Sequence, residues 1–272
     1  MKLEDWISVA SEKLSRAGCE SPKIEAELIL AYLLNISRGK VLASMNHELS
    51  DDVMLKADDI VERRCATRKP LAYIIGQWDF FGLTFNINES VMVPRPETEL
   101  LVEAVLGRLS DEPLLGVDIG TGCGNIAIAL LVNRENWKIF GTDILPEALF
   151  LARANASKNW VGDRFFPVAC DLAEAIKKAD FIVCNPPYIP ESEKSDLQKE
   201  VMFEPRQALF AGEDGMDVIK RLPNIFRRLG AKFLAFEFGY GQAEKVRQIF
   251  GEDCEIIEDY SGIPRVAVVR RT

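Results

Sequence analysis

The feature that most constrains this fold is an alternation of short apolar runs and helical segments that begins after Pro113. Such alternation is typical of a mostly parallel sheet covered by helices. The predicted strands cover residues 114–119, 138–144, 164–170, 179–184, 232–238, 255–259 and 265–270. Only a short turn separates the last two, so they are expected to pair antiparallel. The predicted fold class is α/β, with a seven-stranded, mostly parallel sheet and an antiparallel last strand.

The first 75 residues follow a different pattern, with apolar residues at helical spacing and no strand signal. Ser21-Pro22 and Ser50 with two following acids are typical helix starts. Aromatic residues alternate around Gly82, which predicts a β-hairpin. We therefore expect three parts: a small helical bundle at 1–75, a linking hairpin at 76–93 and the α/β domain at 94–272.

Composition excludes several classes of protein. The 272 residues carry a net charge of -9. This charge argues against an extended nucleic-acid-binding surface, because such surfaces neutralise phosphates with Lys and Arg. Six cysteines without a C-x-x-C pair and a single histidine, His47, argue against a metal site. Free thiols favour a cytoplasmic location. The N-terminus has no apolar signal core, and no stretch is apolar enough to span a membrane.

The loop after the first strand of the α/β part, residues 118–125, is rich in glycine. Gly120, Gly122 and Gly124 allow a tight turn and close approach of a ligand. The third glycine comes one residue too early for a dinucleotide fingerprint, which disfavours a nicotinamide oxidoreductase. The preceding Asp118 would repel a pyrophosphate but attract a cation such as the sulfonium of S-adenosylmethionine.

Two further strand ends fit the same cofactor. Asp143 ends the second strand, where an acid can accept hydrogen bonds from both ribose hydroxyls. Asp171 ends the third, where an adenine is expected, and the backbone N–H of Leu172 could reach the base edge. The carboxyl ends of parallel strands share one edge of a sheet, so these residues are predicted to lie together.

The fourth strand ends in Asn185-Pro186-Pro187-Tyr188. Neither a helix nor the hydrogen bonding of a strand can continue through two prolines, so the chain forms a stiff turn there. The side-chain oxygen of Asn185, with a backbone carbonyl of the turn, could accept both hydrogens of a substrate –NH2 group. The Tyr188 ring could pack on the flat face of that group. Without the glycine loop upstream, a strand terminator with no chemistry would explain the turn equally well.

Taken together, these motifs resemble class I S-adenosylmethionine-dependent methyltransferases, and the Asn-Pro-Pro-Tyr turn is similar to those that methylate planar –NH2 nitrogens. Further segments resemble the release factor glutamine methyltransferase family over nearly the whole chain. They are residues 68–76, 80–83, 93–99, 204–209, 212–217 and 237–242, of which Pro-Arg-Pro-Glu-Thr-Glu at 94–99 is the most specific.

This resemblance implies a Rossmann-like methyltransferase domain that methylates the glutamine of the Gly-Gly-Gln motif in peptide chain release factors, with S-adenosylhomocysteine as the second product. The helical bundle would help to grip the factor. The implied cofactor contacts are Gly120, Thr121, Gly122, Cys123, Gly124, Asp143, Leu172 and Asn185. The implied substrate contacts are Asn185, Pro186, Pro187 and Tyr188, with Asn185, Pro186 and Tyr188 in the catalytic role.

Three positions depart from the family pattern. Cys123 and Cys184 stand where serine is common, and Leu172 where some relatives carry an aromatic residue, so the adenine contact is the weakest part of the assignment. The alternatives are a DNA or RNA methyltransferase acting on an exocyclic base amine, and a cofactor-binding protein that only docks a partner. We expect a monomer with no metal, no stable nucleic-acid partner and no membrane partner.

Overall fold

The computed structural model describes residues 1–251 and 254–271, and its contacts divide the chain into two compact units. The smaller unit contains Met1–Gly76 together with Gln198–Phe203. The larger unit contains Gln77–Leu197 and Glu204–Thr272. Residues 198–203, which the sequence pattern placed in the α/β part, therefore pack with the helices of the smaller unit.

The smaller unit is a helical bundle. Its helices are α1 (Leu3–Arg16), α2 (Pro22–Leu34), α3 (Arg38–Ala43), α4 (Asp51–Thr67) and α5 (Leu71–Ile75). One apolar face of α1 is buried, with Trp6 and Leu14 at its centre. Ser50 caps α4 by accepting a hydrogen bond from the Val53 N–H, whereas Ser21 stands at the start of α2 without a side-chain cap.

A buried cation lies inside this bundle. Arg64 of α4 is almost fully enclosed, and its guanidinium group donates to both carboxylate oxygens of Glu25, at 2.8 and 2.9 Å. It also donates to Glu200 at 2.8 Å, and Arg68 donates to the same Glu200 oxygen. Burial alone would raise the pKa of Glu200, but hydrogen bonds from the two arginines lower it. The segment at 198–203 therefore supplies an anion that the bundle needs.

The larger unit is built on a sheet that has seven strands in the part of the chain that the structure describes. The strands are β3 (Leu115–Ile119), β4 (Lys138–Asp143), β5 (Phe165–Ala169), β6 (Phe181–Cys184), β7 (Phe233–Glu237), β8 (Glu255–Glu258) and β9 (Pro264–Arg270). They lie side by side in the order β5-β4-β3-β6-β7-β9-β8. Its helices are α6 (Glu99–Leu106), α7 (Asn125–Asn133), α8 (Pro146–Lys158), α9 (Arg206–Leu209), α10 (Leu222–Leu229) and α11 (Ala243–Phe250). Strand β9 runs antiparallel to both of its neighbours, which confirms the predicted sheet.

Outside this sheet stands a hairpin of β1 (Gln77–Phe80) and β2 (Leu83–Asn86). Its two-residue loop has positive φ at Phe81 (51°) and Gly82 (73°), the combination that a type I′ turn requires. The buried Asn155 of α8 exchanges two hydrogen bonds with the Asn86 backbone and donates a third to the Cys123 carbonyl. One amide side chain thus joins the hairpin to the glycine loop.

The predicted elements differ from the structure mainly at their ends and in short helices. Residues 71–75, which precede the hairpin, form the short helix α5, and the sequence pattern did not predict α3 or α9. A 3-10 turn, Ile219–Arg221, leads directly into α10. Pro96 starts a 3-10 turn, Pro96–Thr98, that leads into α6.

Candidate functional site

A cavity opens at the carboxyl ends of the parallel strands, within the larger unit. It brings together residues that follow β3, β4, β5 and β6, which is the edge where open α/β sheets bind ligands. The sequence-predicted residues in its lining are Gly120, Thr121, Gly122, Cys123, Asp143, Leu172, Asn185 and Pro187. The lining does not include Gly124, Pro186 or Tyr188.

The glycine loop joins β3 to α7. Gly120 and Gly122 have positive φ, and a Cβ on either would meet no atom within 4 Å. No side chain therefore covers their backbone at the cavity, so a ligand can approach it closely. Gly124 also has positive φ, but a Cβ there would come within 2.8 Å of the Ile128 side chain, so this glycine serves helix packing.

Asp118 lies beneath the loop and outside the lining of the cavity. Its Oδ2 accepts hydrogen bonds from the Thr121 hydroxyl at 2.7 Å and from the Ala127 N–H at 3.3 Å. Its Oδ1 is buried without a partner among the described residues. Burial raises the pKa of Asp118 to about 7. The carboxyl group thus ties the loop to α7, instead of facing a cationic ligand directly as its sequence position suggested.

Asp143 lines the cavity and is held from two sides. Its Oδ2 accepts from the Gly122 N–H and its Oδ1 from the Leu145 N–H, both at 3.0 Å. Each carboxylate oxygen keeps a second lone pair for a ligand hydroxyl. Leu172 also lines the cavity, with a left-handed backbone at φ 48°, while the neighbouring Asp171 forms a bidentate ion pair with Arg221.

Asn185 follows β6 directly and is oriented by one hydrogen bond. Its Nδ2 donates to the Thr98 hydroxyl at 3.0 Å. Its Oδ1 is buried and has no hydrogen-bond partner in the described part of the chain. A buried acceptor without a partner is costly, because it has lost its water without replacement. This oxygen belongs to a residue that lines the cavity and is thus a prepared acceptor for a donor there.

Tyr188 is fixed at both of its polar ends. Its hydroxyl donates to Glu237 at 3.1 Å, and its carbonyl accepts from Gln242 Nε2 at 2.9 Å. Gln242 in turn accepts from the Gly239 N–H at 2.8 Å. Burial, with the neighbouring Glu237, raises the pKa of Tyr188, so the phenol keeps its proton.

Several residues that support this site had no role predicted from the sequence. Thr98 donates to the buried Glu237 at 2.7 Å, and Arg95 pairs with the buried Glu204, which also accepts from the Val93 N–H. Glu237 ends the otherwise apolar strand β7, and such a buried acid was the available signal. The partners could not be paired from sequence, because 139 positions separate Thr98 from Glu237.

The two cysteines near the site are not nucleophiles. Burial raises the pKa of Cys123 to about 12, and burial also raises the pKa of Cys184. Both thiols stay protonated and pack as small apolar side chains. Among the residues that the structure describes, no cluster of side chains has the composition of a metal site, and no helix is long and apolar enough to cross a membrane.

Comparison with known families and proteins extends over the whole chain. Residues 5–76 match the family described as PrmC N-terminal domain, and residues 96–239 match the methyltransferase small domain. A release factor glutamine methyltransferase from Koribacter versatilis is 39% identical, with 100% of this chain and 99% of the relative covered. Relatives of the same name from Coxiella burnetii (36%; 100% and 99% covered) and Streptococcus pneumoniae (35%; 99% and 98% covered) are similarly close.

Solved structures support the fold. The human METTL16 catalytic domain in complex with a MAT2A 3′UTR hairpin superposes with a TM-score of 0.57 at 18% identity, covering 78% of this chain and 82% of that one. The METTL16 N-terminal domain in complex with SAH gives 0.51 at 18% identity, with 88% and 92% covered. At this identity the likeness concerns the fold alone. The full-length relatives and both domain matches show that the chain belongs to the release factor glutamine methyltransferase family.

Proposed function

We propose that this protein transfers the methyl group of S-adenosylmethionine to the side-chain amide nitrogen of the glutamine in the Gly-Gly-Gln motif of peptide chain release factors. The observation that carries the proposal is the unpartnered Oδ1 of Asn185, at a cavity that also contains the bare glycine loop. The family to which the chain belongs supports the choice of a release factor as substrate.

The cavity residues fit this cofactor. The backbone of Gly120 and Gly122 would lie along its amino-acid part, and the lone pairs of Asp143 would accept its ribose hydroxyls. Leu172 would lie beside the adenine, and Cys123 and Thr121 would complete the wall. When bound, S-adenosylmethionine supplies an electrophilic methyl group on a sulfonium.

Asn185 and the turn after it would hold the substrate amide. An amide nitrogen is a poor nucleophile, because its lone pair is delocalised into the carbonyl. Asn185 Oδ1 and the Pro186 carbonyl would each accept one N–H of the glutamine, with Pro187 and Tyr188 completing the clamp. Orientation of this kind contributes about 7–11 kcal/mol in favourable systems. The same two acceptors would stabilise positive charge that develops on nitrogen during transfer.

A general base is not required in this scheme. A methylated, positively charged amide nitrogen is very acidic and loses its proton to water. His47 belongs to the helical unit, and we give it no role in proton transfer. The acceptors at Asn185 and Pro186 thus serve orientation and charge stabilisation rather than proton removal.

The proposal extends to partners and location. The helical bundle at 1–75 would contact the release factor, the hairpin at 76–93 would link the parts, and residues 94–272 would carry the chemistry. All six cysteines are free, which supports a cytoplasmic location. We propose a monomer. The net charge of -9 argues against a stable nucleic-acid partner.

Methyl-labelled S-adenosylmethionine tests the substrate directly. The protein is incubated with a release factor, with the same factor carrying alanine for the Gly-Gly-Gln glutamine, and with DNA and RNA oligonucleotides. Label is expected only in the release factor that keeps its Gly-Gly-Gln glutamine. Label in an oligonucleotide would replace the proposal with a base-amine methyltransferase. Equal labelling of the alanine-substituted factor would show that the acceptor residue is wrong.

A further inference from the structure

Thr98 and Glu237 form a short hydrogen-bond chain behind Asn185. The Asn185 amide donates to the Thr98 hydroxyl at 3.0 Å, and that hydroxyl donates to Glu237 Oε2 at 2.7 Å. The Tyr188 hydroxyl donates to the other oxygen, Oε1, at 3.1 Å. Thr98 and Glu237 are each only 1% exposed, so water does not compete for these bonds.

The chain of bonds has a direction. A hydroxyl has one proton, and a carboxylate can only accept, so Thr98 gives its proton to Glu237 and keeps its lone pairs for a donor. The group that faces Thr98 must therefore be the –NH2 end of the Asn185 amide. This leaves Oδ1 as the end that is free, in agreement with its lack of a partner among the described residues.

The opposite orientation would defeat the reaction. An Asn185 amide turned by 180° would present its –NH2 to the –NH2 of a substrate amide, so two donors would face each other. The two orientations have almost the same shape, and packing alone selects weakly between them. Selection must come from the hydrogen-bond partner, which is Thr98.

We infer that Thr98 and Glu237 are positioning residues that set the donor–acceptor direction of the Asn185 amide, so that its oxygen faces the substrate nitrogen. This inference rests on the proposed function for its substrate but on the geometry of Thr98, Glu237 and Asn185 for its mechanism. It also gives a physical reason for Thr98 in the Pro-Arg-Pro-Glu-Thr-Glu segment, because Thr98 does not itself line the cavity.

The test compares Thr98→Val with Thr98→Ser. Valine keeps the shape and removes the hydroxyl, so kcat is expected to fall about 100-fold. The KM for the release factor and the Kd for S-adenosylmethionine should stay within about threefold of wild type. Serine restores the hydroxyl and should recover most of kcat. The matched control is Thr84→Val, which removes a threonine hydroxyl bound to the Asp79 carboxylate at 2.8 Å on the hairpin; it should leave kcat unchanged.

Glu237→Gln provides a second test if Thr98→Val does not fold. Glutamine presents –NH2 to either Thr98 or Tyr188, which disturbs the direction of the chain. Wild-type kcat should also decline on the acid side as Glu237 takes up a proton, and Glu237→Gln should lack that decline. Burial raises the pKa of Glu237, hydrogen bonds from Thr98 and Tyr188 and the charge of Arg265 lower it, and Glu97 raises it further. The thiol of Cys184 on the adjacent strand stays neutral.

An activity-independent measurement separates this inference from the proposed function. Nuclear magnetic resonance of the Asn185 side-chain amide should show slow hydrogen exchange in wild type and Thr84→Val but fast exchange in Thr98→Val. Wild type that methylates no release factor, yet shows this pattern, would overturn the function and keep the positioning role. An active wild type with kcat of Thr98→Val equal to that of Thr84→Val, or with an unchanged acid decline in Glu237→Gln, would overturn the positioning role.

Discussion

At the scale of single residues, Asn185 should matter for turnover far more than for cofactor binding. Asn185→Ala removes the free acceptor, and kcat is expected to fall about 10²–10³-fold, as for loss of one preorganised charge-stabilising group. The Kd for S-adenosylmethionine should weaken only modestly, because the glycine loop and Asp143 remain. Steady-state kinetics and calorimetry measure the two effects. Asn133→Ala, at the exposed end of α7, is the matched control; near-normal activity of Asn185→Ala would refute the amide clamp.

Asp118 gives a second residue-scale prediction, on stability. Its pKa is about 7 in the folded protein against an ordinary value of 3.8, so the folded state binds more protons between these values. Its contribution to the free energy of unfolding is thus present at low pH and lost as pH rises through about 7. Asp118→Asn keeps an acceptor for Thr121 and Ala127 and removes the ionisation. It should gain up to about 4 kcal/mol over wild type at pH 8 and little at pH 4.

Urea denaturation at these two pH values checks the Asp118 prediction. Asp259→Asn is a control of opposite sign, because backbone N–H groups of Ile263 and Ser261 hold the pKa of Asp259 below its usual value. That carboxylate stabilises the fold above its unfolded pKa, so its amide variant should lose stability at pH 8. An Asp118→Asn variant that is less stable than wild type at pH 8 would contradict the burial argument.

At the scale of elements, Gly215 shapes the turn that carries Tyr188. It has φ 71°, and a Cβ there would lie 2.2 Å from the Tyr188 carbonyl and 2.8 Å from Gln242 Nε2. Gly215→Ala must therefore displace the turn and should lower kcat about 100-fold. Gly230, which caps α10 with φ 68°, has free space around its Cβ position. Gly230→Ala should cost only about 1–2 kcal/mol of backbone strain.

Steady-state kinetics and thermal melting of Gly215→Ala and Gly230→Ala separate the effect of backbone strain from that of the added Cβ meeting its neighbours. Both share the unfavourable left-handed backbone, so a difference in kcat reports the collision of the added Cβ with Tyr188 and Gln242. Equal kcat values for the two variants would show that the turn tolerates the displacement.

Part of the fold and of the candidate site was predictable from the sequence. The order of strands and helices in the α/β part was predictable, because buried strands and amphipathic helices leave local patterns. The residues after β3 to β6 were predictable as one site for the same reason. The support from Thr98, Glu237 and Gln242 was not, because a hydrogen bond between distant positions leaves no local pattern.

At the scale of the whole molecule, the helical unit depends on a segment far along the chain. Glu200 accepts hydrogen bonds from the buried Arg64 and from Arg68. Glu200→Ala leaves Arg64 with Glu25 alone, and the loss of a buried hydrogen bond to a charged group costs about 1.5–3 kcal/mol. Hydrogen exchange of the α4 amides should speed up accordingly. The exposed pair of Glu191 and Arg206 is the control, and Glu191→Ala should change stability by about 0–1 kcal/mol.

If the α4 amides of Glu200→Ala exchanged as slowly as those of wild type, Glu25 alone would be enough to compensate the charge of Arg64. Glu25 already engages Arg64 through two hydrogen bonds, whereas Arg68 shares the Glu200 oxygen and donates otherwise to the Ala17 carbonyl. The loss should therefore be larger for protection near Arg68 than near Glu25, a gradient that exchange data resolve by position.

The discontinuous make-up of the helical unit has a consequence for recombination between relatives. A single crossover near Gly76 would join the bundle of one parent to residues 198–203 of the other, and the arginines would meet a carboxylate from a foreign background. Chimaeras that exchange the first 76 residues alone should therefore fail more often than those that carry both pieces. For recombination, residues 1–76 and 198–203 therefore act as one unit, although most of the α/β part lies between them in the sequence.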